Sequence, residues 1–219
     1  MKSKSELVML FASSVVCLLP IVLSLAVYSE LPDQIVMQWN LEGNPNWFAH
    51  KAVPAFVMPF FFMLLNVIVR LALKSDSRRE GHSKAMSAFA QWLVPFLAIT
   101  VIPLMIYSAM GAAVPIHKIA LVFVGLVLVF CGNYLNKNRQ NVSIGIRIKW
   151  TLNDSDNWNK THRMAGPLWV IGGIIFIIVS LLPMEHSLML VLILSIIAVL
   201  VIVPILYSYL LYRRSRVTS

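Results

Sequence analysis

The chain has 219 residues, 59% of them hydrophobic and only 12% charged, with a mean hydropathy of +0.80. A soluble domain of that composition would expose more apolar surface than folded proteins tolerate, so the composition points to an integral membrane protein. The formal net charge of +9 is basic, yet Lys and Arg fall in short clusters beside apolar runs with no basic helix or nucleic-acid motif, which argues against direct nucleic-acid binding.

A bilayer core about 30 Å thick needs about 20 mainly apolar residues per helix. Taken in chain order, the runs predict an all-α integral membrane protein with six transmembrane helices, at 7–28, 53–73, 86–110, 115–132, 167–184 and 187–212. The first run follows a short basic start, Met1 to Glu6. Ser24-Leu25-Ala26 fits a signal-peptidase site, but the run exceeds the usual ~7–15 residue signal core, so a retained helix is expected.

Between the first two spans lies an outer loop, 29–52, whose Pro32, Gly43 and Pro45 supply turn chemistry. Ile35 to Trp39 suits a short extended segment, and Trp47-Phe48 suits the headgroup belt. The second span carries Asn66 and Arg70 at helical i,i+4 spacing. A polar notch for a ligand or an interhelical hydrogen bond would explain Asn66, while Arg70 can snorkel to the interface. A basic loop at 74–84, expected to be mobile, leads to the third span, whose Pro95 and Pro103 allow a kink.

The polar segment 132–166 between the fourth and fifth spans is the main interruption in the hydrocarbon pattern. Val142, Ile144, Ile146, Ile148, Trp150 and Leu152 alternate with Ser143, Gly145, Arg147, Lys149 and Thr151, a period of two that predicts an extended segment with one apolar and one basic face. Asn153, Asp154 and Ser155 then suit a helix start, with Trp158, His162 and Ala165 at helical spacing. A short interfacial helix turning into the fifth span at Gly166 is expected.

Orientation follows from the basic residues. Sixteen Lys and Arg lie on one side of a six-span topology, whereas the other side has only Lys51 and Lys118. The positive-inside rule therefore predicts both termini and the 132–166 insert in the cytoplasm, and the 29–52 loop outside. Cys17 and Cys131 lie in apolar runs, as packing residues do. No metal-ligating, cofactor-binding or catalytic set is expected.

Two regions resemble the SdpI-type immunity proteins of bacteria, which carry an amino-terminal DUF1648 region. In the insert the resemblance rests on Gly132-Asn133-Tyr134-Leu135, Asn141, Gly145-Ile146-Arg147, Trp150-Thr151-Leu152, Trp158, Thr161-His162-Arg163 and Gly166. In the outer loop it rests on Leu31-Pro32-Asp33-Gln34-Ile35, Trp39-Asn40, Gly43, Pro45 and Lys51. Gln38 stands where the pattern has His, Val36 and Gln140 stand where it has proline, and Ile148-Lys149 replaces Thr-Pro. The resemblance implies a DUF1648-like region at 1–84 and an SdpI-like region at 85–219.

It also implies a multi-pass protein of the bacterial cell membrane, without enzymatic activity, that protects the producing cell against a secreted toxic peptide. In signalling members it implies capture of a small transcriptional repressor inside. On that reading Asp33, Gln38, Trp39, Asn40 and Trp47 form the outer toxin-contact surface. Asn133, Tyr134, Asn141, Gly145, Arg147, Trp150, Thr151, Trp158, Thr161, His162 and Arg163 form the cytoplasmic surface for a partner or for lipid phosphates. Two other classes fit the residues: a small-molecule or peptide transporter dependent on Asn66 and Gln91, and a membrane enzyme using His162 with Asp154 or Asp156.

Overall fold

A computed structural model of the chain describes residues 2–39 and 44–217. Among them, six helices are long and apolar enough to cross a membrane. Large apolar side chains on these helices face outward, Phe11 at 72% and Ile171 at 58% exposure, which only a hydrocarbon surround makes favourable. The residues group into two compact units, 1–72 with 88–116 and 73–87 with 117–219.

In the first unit, α1 (Lys2–Leu18) and α2 (Pro20–Val27) together make the first span. The break falls at Leu19 because Pro20 has no N–H to donate and suits a first helical turn. β1 (Gln34–Trp39) and β2 (Pro45–His50) form an antiparallel hairpin, so the extended segment expected at Ile35 to Trp39 is present and paired. Trp47 and Phe48 lie within β2. The chain re-enters a helix through a π-helical turn at Val53–Val57, then α3 (Met58–Ser75) and α4 (Lys84–Ala109) follow. Pro95 and Pro103 both lie inside α4.

Leu31 and Ile35 are buried against Ile102 and Ile106 of α4, with Tyr28, Met58 and Phe62 around them. That apolar cluster ties the root of the hairpin to the helices. A second cluster buries Cys17 with Val94 and Ala98, the packing role expected of this cysteine.

The second unit holds α5 (Ile116–Leu135), α6 (Lys149–Asn153), α7 (Ser155–Leu181) and α8 (His186–Val217). Four glycines set the α5–α7 approach. A Cβ on Gly132 would lie 2.7 Å from the Gly166 carbonyl oxygen, and one on Gly125 would lie 3.0 Å from the Gly173 carbonyl oxygen. Each helix spaces its pair seven residues apart, keeping both glycines on one face and allowing backbone-to-backbone contact in two places.

Three expectations are overturned here. The segment from Val142 to Leu152 is not an extended strand: residues 141–148 form an irregular loop and Lys149–Asn153 is helical. Its burial departs from the alternation at Thr151, which is buried, and Val142, which is exposed, although Arg147 and Lys149 are exposed as the alternation predicts. Nor does a separate short helix turn at Gly166, because α7 runs unbroken from Ser155 through Pro167 to Leu181. Pro167 withholds one N–H from the carbonyl four residues back, but Arg163 lies on an exposed side of the helix, where that carbonyl can be solvated. Finally, the 74–84 loop is not a loose tether; it is hydrogen-bonded onto residues 138–142, as described below.

Candidate functional site

The β1–β2 hairpin presents a small polar and aromatic surface. Gln38 and Trp47 are cross-strand partners, so their side chains share one face of the ribbon. Gln38 is exposed and Trp47 is 54% exposed, whereas Trp39 is half-buried. Asp33, at the root, is exposed but engaged: Lys51 Nζ lies 3.2 Å from its Oδ1. The same ammonium donates to the Leu31 carbonyl at 3.2 Å and sits 5.0 Å from the centre of the Tyr28 ring. Lys51 therefore closes the two ends of the hairpin around Leu31 and Asp33. Asn40 lies outside the described residues, as does Gly43.

The insert in the second unit is a polar knot built on α7. Asp154 caps that helix, its Oδ1 accepting from the Asp156 and Asn157 N–H groups at 2.8 and 3.2 Å. This is the expected helix start. One turn on, Asn157 and Ser208 of α8 bond reciprocally: Asn157 Nδ2 donates to the Ser208 carbonyl at 2.9 Å and Ser208 Oγ donates to Asn157 Oδ1 at 2.6 Å. The Thr161 hydroxyl donates to the same Oδ1 at 3.1 Å. A buried amide bonded at both its nitrogen and its oxygen locks α7 to α8 in one register.

Trp158 and His162 occupy the middle of the knot. Both are essentially solvent-free, and their rings stack at 3.9 Å with an interplanar angle of 20°. Trp158 Nε1 donates to the Asn138 carbonyl at 3.0 Å. His162 Nε2 accepts from the Ile146 N–H at 3.0 Å, and Nδ1 lies 2.8 Å from the Trp158 carbonyl. An N–H donor on one nitrogen and a carbonyl acceptor at the other assign a neutral ring protonated at Nδ1.

Loop 141–148 wraps over this pair. Asn141 Oδ1 accepts from the Ser143 and Ile144 N–H groups at 3.0 and 2.7 Å while Nδ2 donates to the Arg139 carbonyl at 2.9 Å. That Asx turn starts the wrap. Gly145 completes it with φ +121°, and a Cβ there would meet His162 Nε2 at 2.5 Å and the Trp158 ring at 3.0 Å. Only glycine satisfies both the backbone and the space.

Thr151 ends the loop. Its hydroxyl accepts from the Ile148 N–H at 3.1 Å and donates to the Ile146 carbonyl at 2.7 Å. Gln140, present where the family pattern has proline, donates through Nε2 to the Thr151 carbonyl at 2.7 Å. Trp150 packs its ring on Tyr209 and Tyr212 of α8, at 5.1 and 6.1 Å.

The candidate residues of the insert thus separate by burial. Asn141, Thr151, Trp158, Thr161 and His162 are buried and hold the knot together, with Gly145 between them. Arg147, Arg163 and Asn133 are exposed, Trp150 and Tyr134 half-buried. Arg147 Nη1 reaches the Val142 carbonyl at 2.7 Å, and the Tyr134 ring receives Lys137 Nζ at 4.3 Å.

Sequence reasoning passed over Asp76, Asn138, Asn157 and Ser208. Asp76 is buried in the 74–84 loop. Its carboxylate accepts from the Arg78 N–H at 2.7 Å and the Val142 N–H at 3.2 Å, with His82 Nε2 2.7 Å away. Burial acts to raise the Asp76 carboxyl, but hydrogen bonds from Ser143, the Arg78 backbone and His82 outweigh it and hold the group below the usual carboxylate range. Nearby, Asn138 Oδ1 accepts from the Ser83 N–H at 2.8 Å and the Arg139 N–H donates to the Gly81 carbonyl at 2.8 Å. The available signal was a lone Asp in a basic loop followed six residues later by His, which carries no recognisable spacing rule.

Six spans, an anchored hairpin after the first and a buried polar knot at the start of the fifth define a multi-pass membrane protein. Residues 137–208 match the SdpI/YfhL protein family, and residues 15–63 match a domain of unknown function, DUF1648. The chain is 27% identical over 203 residues to the immunity protein SdpI of Bacillus subtilis (strain 168), covering 92% of this chain and 95% of that protein. No solved structure matches it. Together with the six spans, these likenesses make the chain a multi-pass protein of the bacterial cell membrane. The SdpI/YfhL match includes Asn138, Trp158, His162 and Ser208 of the knot.

Proposed function

We propose that this protein is a membrane immunity protein that protects its cell against a secreted toxic peptide. The observation that carries the reading is the end-to-end likeness to an immunity protein, at 92% coverage of this chain. The charge asymmetry supports an orientation with both termini and the knot in the cytoplasm and the hairpin outside. In that orientation the Gln38–Trp47 face is the surface a peptide outside the cell would meet. An exposed tryptophan on a rigid, anchored ribbon contributes contact area at small entropic cost.

A finer form of the proposal adds toxin sensing, with exposed Arg147, Lys149 and Arg163 receiving a small repressor inside. Their exposure on a rigid base supports it. The reading of His162 as an acid/base group is disfavoured by geometry, because both ring nitrogens are already committed to backbone groups. The polar notch at Asn66 is an interhelical bond: Asn66 Nδ2 donates to Ser13 Oγ at 2.9 Å and to Ser14 Oγ at 3.2 Å.

Survival of a toxin-sensitive host tests the function. Cells expressing this chain should outgrow vector controls when challenged with the secreted toxic peptide of the producing strain. Equal killing of both strains, with the protein present in the membrane, would remove the immunity reading.

A further inference from the structure

Arg70 lies on α3, four residues after Asn66 and therefore on the same helical face. It does not simply reach past the helix end. Its Nη1 donates to Gln91 Oε1 of α4 at 3.3 Å, while Nε and Nη2 are buried and, among the described residues, bond to nothing within the protein. Asn66 Oδ1 is likewise buried without a partner.

The two orphaned nitrogens are not an arbitrary pair. Nε–H and Nη2–H form one edge of the guanidinium, two parallel donors whose spacing matches two oxygens of a single oxyanion. Gln91 holds the far end of the group, so the direction of this edge is fixed. The α3 residues Leu65 and Val69 beside it pack on the apolar cluster of Cys17, Val94 and Ala98, and the neutral Asn66 Oδ1 on the same face makes no bond to it. A buried guanidinium with an unpaired edge is stable only when an anion completes it.

Depth selects the anion. Arg70 is five residues before α3 ends at Ser75, about 7.5 Å of helical rise, which brings the edge toward the phosphate layer of one leaflet. Arg70 as a residue is half-buried, but Nε and Nη2 themselves are shielded from solvent, so an anion reaches the edge only as the side chains over it part. We propose that the Nε–Nη2 edge of Arg70 is a binding site for one phosphate group, aimed by Gln91. The group comes from an anionic phospholipid headgroup or from free phosphate.

The test uses the full-length protein in a phosphate-free maltoside detergent, with phosphatidylglycerol, inorganic phosphate or neutral diacylglycerol added in separate arms. Thermal unfolding and native mass spectrometry are read for wild type, Arg70→Lys, which keeps the charge but lacks the edge, and Gln91→Leu, which keeps the edge but loses its aim. Wild type should retain one phosphatidylglycerol per chain with a saturable rise in Tm, and occupancy should fall about fivefold or more in both variants. A saturable rise with inorganic phosphate alone, absent in Arg70→Lys, assigns the free ion as the source. The proposal is overturned if neither phosphate source changes wild type relative to diacylglycerol, or if Arg70→Lys and Gln91→Leu both bind as wild type does.

Discussion

The His162 ring lies flat against the Trp158 indole and accepts the Ile146 N–H through Nε2, so a single imidazole joins α7 to the loop folded over it. Replacing it strands a buried backbone donor and opens a void beside an indole. His162→Ala should therefore destabilise the second unit by about 2–4 kcal/mol. Thermal unfolding in detergent checks the magnitude. Protection per folded molecule should stay unchanged; a loss of protection without a loss of folded protein would instead restore a chemical role for His162.

Gly145 and Gly111 separate backbone strain from steric conflict. Both have positive φ, +121° and +92°, but only Gly145 faces atoms that a Cβ would strike. Gly111→Ala should cost about 1–2 kcal/mol, from conformation alone. Gly145→Ala should cost clearly more, because His162 and Trp158 must also move. Equal losses of Tm in the two variants would contradict the packing described here.

The close approach of α5 and α7 predicts sensitivity at positions that carry no chemistry. Gly132→Val places methyl groups where the Gly166 carbonyl and Val170 amide now stand. It should lower stability by about 1–3 kcal/mol or drive the helices apart. Crosslinking between cysteines introduced on the two helices reads the separation directly.

Asp76 gives a signed pH dependence. Its carboxyl is held below the ordinary range in the folded protein, so the unfolded chain binds a proton more readily. The associated stability is present above the unfolded value of about 3.9 and is lost as pH falls through the lower folded value. Stability should therefore decline below about pH 4, and Asp76→Asn should flatten that decline while lowering stability at neutral pH. An unchanged acid limb in the variant would exclude Asp76 as its source.

Much of the architecture is legible in the sequence because hydrocarbon length and charge placement act locally. Six apolar runs give six helices, and Asp154 announces the start of α7. The hairpin strand at Ile35 to Trp39 reads correctly for the same reason. The knot does not. Residues 142–152 alternate apolar and polar in a way that mimics a strand, but their conformation is dictated from a distance: Asp76 takes the Val142 N–H, and His162 takes that of Ile146. No local period encodes a donor waiting for an acceptor 16 residues away. The glycine pairs escape for a related reason, since a spacing of seven departs from the four-residue motif that small-residue helix contacts usually show. In the site, residue type was informative and role was not, because Trp158 and His162 look like contact residues and pack as core.

The immunity reading is tested most directly by survival curves in a toxin-sensitive host at matched membrane levels of wild type and a Gln38→Ala, Trp47→Ala double variant. Both side chains are on one exposed face of the hairpin, away from the Leu31–Ile35 anchor, so the variant should fold normally. Wild type should protect, and the double variant should need a peptide dose about tenfold lower for the same killing, the effect of losing about 1.4 kcal/mol of contact. Failure of the wild type to protect at any dose would contradict the central claim, and full protection by the double variant would move the contact surface away from the hairpin.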